Sequence, residues 1–315
     1  MVRFLLQRLG MAIPTLLIVA IIVFAMIRLI PGSPVTLMLG DMADPSAVAD
    51  LERSLGLDKP IPVQFLYWVG RALSGDLGHS INVATGQAVL PLILDRFAVS
   101  ATIVLVAVGL AALIAVPAGM IAAWRQDSAL DLAVISGATL LLSIPSFWLG
   151  LLMLLLFGLK LGWLPVIGYV PFSENAGAAL VYMIMPVATL VMVETGVVAR
   201  MARASTIEVM RLEYITHARA KGLSEGAVLW RHAFRNAFAP TWTLIGLILG
   251  NLLGGIAVIE TVFTIPGLGR LLVESIYARD YPVVQGCLLF VACIYVVVNL
   301  IVDLLYPLFD PRVTA

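Results

Sequence analysis

Phe97–Trp124 reads FAVSATIVLVAVGLAALIAVPAGMIAAW and contains no Asp, Glu, Lys or Arg. A helix needs about 20 apolar residues to cross the core of a bilayer, and this run supplies them. Working outward in both directions, five more uncharged runs appear: Leu9–Ile27, Leu132–Leu159, Asn175–Val193, Asn236–Ile259 and Tyr281–Val302. Each is long enough to span. The composition agrees, since 61% of the 315 residues are hydrophobic and 12% are charged. Soluble domains carry about 25% charged residues, so this much apolar surface points to lipid. The expected fold is an all-α membrane protein with six transmembrane helices.

The first run follows Arg3 and Arg8 as a signal peptide would. It is long for a signal peptide's apolar region, and no A-x-A cleavage site follows. It is therefore read as a retained span ending at Ile30-Pro31-Gly32-Ser33-Pro34. Six spans place both termini on one side, and loop Lys and Arg decide which. With the N-terminus inside, eleven of nineteen basic residues fall on inner segments, and eight basic residues with ten acids fall outside. The expected topology is N-in, C-in.

The domains read as an N-terminal segment and first helix over 1–30, a small extracytoplasmic subdomain over 31–96, and a transmembrane core over 97–315. Within the subdomain, Val63–Val69 predicts an amphipathic helix, and Gly75-Asp76-Leu77-Gly78 predicts a turn. Cys287 and Cys293 are six apart in the last run, so they do not share a helical face and read as small apolar packers. The chain shows no internal repeat.

One basic segment, about 200–240, breaks the apolar pattern: RMARASTIEVMRLEYITHARAKGLSEGAVLWRHAFRNAFAP. Good helix formers run from Arg200 to Lys221, Gly222 predicts a helix C-cap, and Ser224 an N-cap for a second helix ending near Pro240. Leu212, Ile215, Leu223, Val228, Leu229 and Trp230 offer apolar groups for insertion into a partner's groove, with arginines orienting them. The same charge also suits a loop that only sets topology and touches anionic lipid.

At this segment the chain resembles the permeases of ABC importers, in the dipeptide and oligopeptide branch, and within it the first permease of the pair. Tyr214-Ile215-Thr216-His217-Ala218-Arg219-Ala220-Lys221-Gly222-Leu223-Ser224 is similar to that family's coupling loop. The likeness continues through Arg231–Ala237 and Pro240, Glu260-Thr261-Val262-Phe263, Pro266–Leu272, Arg279–Val283, Asn299–Tyr306 and Asp310-Pro311-Arg312. At the front, Leu29–Pro34, Leu55–Pro60 and Gly75–Gly78 are similar to the first permease. Thr216-His217-Ala218 stands where many members have Glu-Ala-Ala, so no coupling glutamate is assigned there. The resemblance implies a type I importer permease fold in a bacterial or archaeal cytoplasmic (inner) membrane. It implies partners as well: a second homologous permease, two ATP-binding subunits, an extracytoplasmic solute-binding protein, a peptide or related small solute, and membrane lipid. No nucleic acid is expected. It also implies that Thr216, His217, Ala218, Arg219, Ala220, Lys221, Gly222, Leu223 and Ser224 couple to the ATPase.

No cofactor is expected on this chain, with ATP and Mg held by partner subunits. A P-loop needs Gly-Lys-Ser/Thr, and Lys59, Lys160 and Lys221 are followed by Pro, Leu and Gly. No enzymatic role is expected either. Gly222-Leu223-Ser224-Glu225-Gly226 matches G-x-S-x-G, but that motif needs a preceding strand and here a helix is predicted. His79, His217 and His232 lack ligand spacing, so no metal site is expected.

Gly246, Gly250 and Gly254 fall on one helical face and suit close helix packing. Asn251, Glu260 and Asn299 are the candidates for the substrate path. Glu260 suits a peptide's amino group, and equally an anchor for Arg270 or Arg279. Glu194 has a simple reading as the partner of Arg200 or Arg203. The main rival reading is a secondary transporter driven by an ion gradient, which favours internal repeats and midplane ionisable groups. A membrane-embedded enzyme lacks a catalytic constellation, and a scaffold leaves the coupling-loop likeness without a cause.

Overall fold

The computed structural model describes residues 2–29, 44, 46, 53 and 59–309. Among these residues regular structure is helical, and the one extended pairing is an isolated bridge between His79 and Ala88. Most of the expectations for 31–58, including Ile30–Pro34 and Leu55–Asp58, lie outside the described residues.

The helices are α1 (Val2–Arg28), α2 (Ile61–Leu73), α3 (Val89–Trp124), α4 (Ala129–Ser143), α5 (Ser146–Met153), α6 (Ala176–Met210), α7 (Glu213–Ala220) and α8 (Glu225–Ala227). They continue with α9 (Phe234–Gly255), α10 (Ala257–Val262), α11 (Leu268–Tyr277) and α12 (Tyr281–Leu305). The starts of α4 and α6 follow from capping. Ser128 Oγ accepts the Asp131 N–H at 3.3 Å, and Asn175 Oδ1 accepts the Ala178 N–H at 3.0 Å. Each satisfies a donor that a helix start leaves open.

Four helical stretches are long and apolar enough to cross a membrane: Val89–Trp124, Ala176–Met210, Glu225–Gly255 and Tyr281–Leu308. The run Leu132–Leu159, expected as one span, is instead broken. Ala129–Ser143 and Ser146–Lys160 meet at 94°, and counting them as one span gives five. Pro145 explains the break, because it has no N–H and pushes Ile144 out of the helical region, here to φ −95° and ψ 122°. The apolar part of α1, Gly10–Met26, is shorter than these four.

The chain divides into two compact units. One comprises Ala101–Ile265 with Val297–Ala315. Its centre is α6, which packs against α3, α4 and α9. The helices approach closely where side chains vanish. A Cβ on Gly119 would lie 2.9 Å from Ala202 Cβ, and one on Gly196 would lie 2.8 Å from the Ala138 carbonyl. A buried fork joins α4 to α6: Arg203 Nε and Nη2 donate to the Asp131 carboxylate at 2.5 and 2.6 Å. The Asp131 side chain is 5% exposed and that of Arg203 is 23%.

The other unit comprises Val2–Ser100 with Pro266–Val296. Its core is Val89, Leu92, Ile93, Leu268, Leu271, Val283 and Cys287, flanked by an edge-to-face contact of Phe97 with Phe290 at 5.0 Å. Cys287 and Cys293 are free thiols. The predicted amphipathic helix is present as α2 and extends beyond the predicted ends. The turn at 75–78 is also present, with Gly75 and Gly78 both at positive φ. The loop after it is held by Asp280, which is wholly buried. One carboxylate oxygen of Asp280 accepts the Ser80 hydroxyl at 2.6 Å and the N–H groups of Ile81, Asn82 and Val83 at 3.0, 2.9 and 3.0 Å.

Candidate functional site

The basic segment is expected as one helix from Arg200 to Lys221. It is two. α6 ends at Met210, Leu212 is extended at φ −74° and ψ 147°, and α7 starts at Glu213. The break lifts a separate short helix off the end of α6. Its charges suit it: Glu213 lies in the first turn and His217 and Arg219 in the last, as the helix dipole favours. Ile215 and Ala218 are buried and face inward against the Val228–Ala233 turn, where the helix widens to π geometry. Asn236 Nδ2 donates to the Tyr214 hydroxyl at 2.7 Å, which fastens α7 to the start of α9.

The end of α7 is a Schellman motif. The Leu223 N–H donates to the Ala218 carbonyl at 3.4 Å and the Gly222 N–H to the Arg219 carbonyl at 2.9 Å. This closure needs a left-handed residue after the cap, and Gly222 supplies it at φ +79°. Ser224 Oγ then accepts the Ala227 N–H at 3.4 Å and starts α8. A guanidinium fork from Arg219 to Glu225, at 2.8 and 3.1 Å, spans the turn. It is exposed, so its contribution is small.

The structure brings Thr216, His217, Arg219, Ala220, Lys221, Gly222, Leu223 and Ser224 to one exposed knob, with Ala218 buried beneath. The expected set of inserting apolar groups needs correction. Ile215, Val228 and Leu229 are fully buried and hold the knob together. Leu212, Leu223 and Trp230 are 43%, 37% and 47% exposed. The second helix does not end near Pro240, which lies inside α9.

Gly246 faces Val302, and any Cβ there would collide with that valine's side chain. Gly250 is buried and Gly254 is half-buried on the same helix. Among the path candidates, Asn251 is exposed, Asn299 is half-buried, and Glu260 is fully buried in α10. Of the two partners the sequence offers Glu194, Arg203 forks onto Asp131, which leaves the Arg200 alternative. The G-x-S-x-G match is preceded by α7, not a strand, and its Ser hydroxyl is a helix cap. Among the described residues no group of His, Cys, Asp and Glu is placed to hold a metal.

The exposed knob is internally braced and is carried on long apolar helices. Residues 115–315 match the family described as "Binding-protein-dependent transport system inner membrane component". Residues 1–106 match the N-terminal family of the same system. The chain belongs to this family of transport permeases.

Relatives agree with the assignment. A "putative peptide transport system permease protein" of Brucella suis biovar 1 is 44% identical over 313 residues, covering 99% of each chain. A "dipeptide transport system permease protein DppB" of Alkalihalophilus pseudofirmus is 38% identical over 333 residues, again covering 99% of each. An "oligopeptide transport system permease protein AppB" of Bacillus subtilis is 36% identical over 315 residues and 99% of each. Among solved structures, the "crystal structure of an amino acid ABC transporter with histidines" matches at 19% identity and a TM-score of 0.49, covering 70% of this chain and 94% of that one.

For this permease, reasoning from sequence missed two ties. Asp131 with Arg203, and Asp280 with the 80–83 loop, join residues far apart in the chain. The only local signal was an acid at the edge of an apolar run in each case.

Proposed function

We propose that this permease is half of the membrane pathway of an ABC importer for dipeptides, oligopeptides or related small solutes. A second homologous permease supplies the other half, and two ATP-binding subunits dock at the α7–Ser224 knob. ATP and Mg belong to those subunits, and an extracytoplasmic binding protein delivers the solute. The chain crosses a cytoplasmic membrane six times with both termini inside, α1 and the bent α4–α5 pair each counting as a span.

The observation that carries the reading is the knob itself. It exposes Leu223, Trp230, Arg219 and Lys221, while buried Ile215, Val228 and Leu229 stiffen it from below. A stiff knob transmits force, whereas a floppy topogenic loop would not need the Schellman closure or the buried residues. ATP binding moves the docked subunits, and the knob passes that movement to α6 and α9. The work comes from subunit contacts that differ between inward- and outward-open states.

The test is co-purification of the tagged chain in mild detergent with its Gly222→Pro and Leu223→Asp variants. Proline removes the Gly222 N–H and cannot adopt φ +79°. Recovery of a homologous permease with ATPases, and loss of the ATPases alone in both variants, is expected. A homo-oligomer without any ATPase would refute the reading.

A further inference from the structure

Helix α2 has two apolar faces, and among the described residues only one of them is packed against another helix. On the inner face, Phe65 and Trp68 pack around Phe24 of α1, with ring centres 5.2 and 5.9 Å from it. On the opposite face Val63, Leu66, Tyr67, Gly70 and Leu73 form a stripe at helical spacing. Leu66 is 69% exposed and Leu73 is 85%. A shallow groove of about 380 Å³ runs along this stripe, lined by Leu66, Tyr67, Gly70, Arg71 and Ser74.

The level of α2 is set by its attachment to α1. Arg28, two residues beyond the apolar run Gly10–Met26, lies with its guanidinium 3.5 Å over the Phe24 ring. Its Nε and Nη2 donate to Gln64 Oε1 at 3.0 and 2.6 Å, and Gln64 Nε2 donates to the Lys59 carbonyl at 2.7 Å. The first turn of α2 is therefore fixed to the last turn of α1. That is the level at which a spanning helix leaves the hydrocarbon.

The chemistry of the open face fits that level. Its middle is aliphatic. Lys59 lies before the helix, with Nζ 3.9 Å from the centre of the Tyr67 ring, and Arg71 lies in the last turn, paired with Asp76 at 2.9 Å while its side chain stays 45% exposed. Tyr67 carries an apolar ring with a polar tip, the type of side chain enriched at headgroup depth. An apolar stripe flanked by cations and an interfacial tyrosine is the pattern of a helix that lies in a bilayer surface.

We propose that α2 is an interfacial helix: its Leu66–Leu73 stripe is covered by phospholipid, with acyl chains against the leucines and lipid phosphate near Lys59 and Arg71. This rests on the proposed membrane role of α1. Seated in the leaflet, α2 holds the exit of α1 and prevents it from sliding along the membrane normal.

The test places single spin labels on the full transporter in nanodiscs of phosphatidylethanolamine and phosphatidylglycerol. The parent carries Cys287→Ala and Cys293→Ala. If that parent is not monodisperse, one retaining the fully buried Cys287 replaces it. Labels go at Leu66→Cys and Leu73→Cys, with references at Leu113→Cys, 75% exposed within α3, and at Gln87→Cys, exposed in the loop before α3. Collision with oxygen and with a water-soluble nickel chelate is measured. The expected ratio of oxygen to nickel at 66 and 73 is within about threefold of that at 113, and about tenfold above that at 87. Free access of nickel at 66 and 73, with position 113 still lipid-like, overturns the inference and leaves the permease reading intact. Exclusion of both reagents at 66 and 73 also overturns it, because protein then covers the stripe. Nickel access at 113 as well overturns both readings.

Discussion

Removing Arg203 should hurt more than removing Asp131, although each ends the same ion pair, because it strands the more deeply buried charge. The carboxylate accepts both guanidinium bonds, at 2.5 and 2.6 Å, and also the Asp127 N–H at 3.0 Å. That third bond holds Asp127 at φ +64°, in the turn before α4. Breaking a buried pair from one side costs about 3–5 kcal/mol. Arg203 keeps 23% of its side chain in contact with solvent, so the lower end of that range applies. Asp131→Ala is therefore expected to cost about 3 kcal/mol, of which about 1 is the Asp127 bond. Arg203→Ala leaves that bond in place but strands a carboxylate only 5% exposed, so it should cost more, about 4 kcal/mol. The double variant leaves no stranded charge. Its cost should be about 4 kcal/mol instead of the additive sum of about 7, giving a coupling of about 3. Unfolding in mixed micelles of dodecyl maltoside and dodecyl sulfate, followed by circular dichroism, gives the four midpoints. Strict additivity, or Asp131→Ala as the worse single variant, would refute the reasoning.

Gly222→Val should strain the knob by about 1–2 kcal/mol and reduce ATPase co-elution, while Gly222→Asn should retain most of it. Gly246→Val should lower the melting midpoint of the purified chain, and Val302→Ala should restore part of the loss by vacating the space the new side chain needs. Asp280→Ala should speed hydrogen exchange of the Ile81, Asn82 and Val83 amides at least about tenfold, with Asp280→Asn intermediate because it keeps an acceptor. The Arg71 guanidinium, and then the Gly78 N–H, hold the Asp76 carboxyl below the usual carboxylate range. A depressed carboxyl stabilises the turn above its unfolded pKa of about 3.9 and loses that contribution as pH falls through the lower folded value. Proteolytic nicking after Arg71 should therefore rise only in strong acid, and Asp76→Asn should abolish the pH step.

Much of the architecture was legible because lipid imposes a simple rule on sequence. Uncharged runs predicted helices at 97–124, 175–193, 236–259 and 281–302, and each lies largely within an observed helix. The bend at Pro145 was not legible from proline alone. Pro14, Pro117, Pro186 and Pro240 all lie inside continuous helices. A proline breaks a helix only where packing supports the broken form, and that is a tertiary fact. The Gly222 turn was legible because both caps are local. Which apolar residues of the knob face out was not, since Val228 and Leu229 are as apolar as Leu223 and differ only in what lies beneath them. Asp131 with Arg203, and Asp280 with Ser80, were invisible for the same reason: 72 and 200 residues separate the partners.

Helix α6 contains Pro186, which cannot donate to the carbonyl four residues earlier and makes a natural flexing point. Beyond it, residues 187–210 run unbroken for about 36 Å, longer than a bilayer core is thick. A swing of about 5° at Pro186 would carry the far end, where α7 begins, through about 3 Å. Arg203 sits most of the way out along this boom and grips α4 through Asp131. If a docked subunit pushes on α7, as proposed, the push need not travel atom by atom into the bundle: the boom and the element it grips would turn together, and the hinge at Pro186 would set where in the membrane the proposed passage widens.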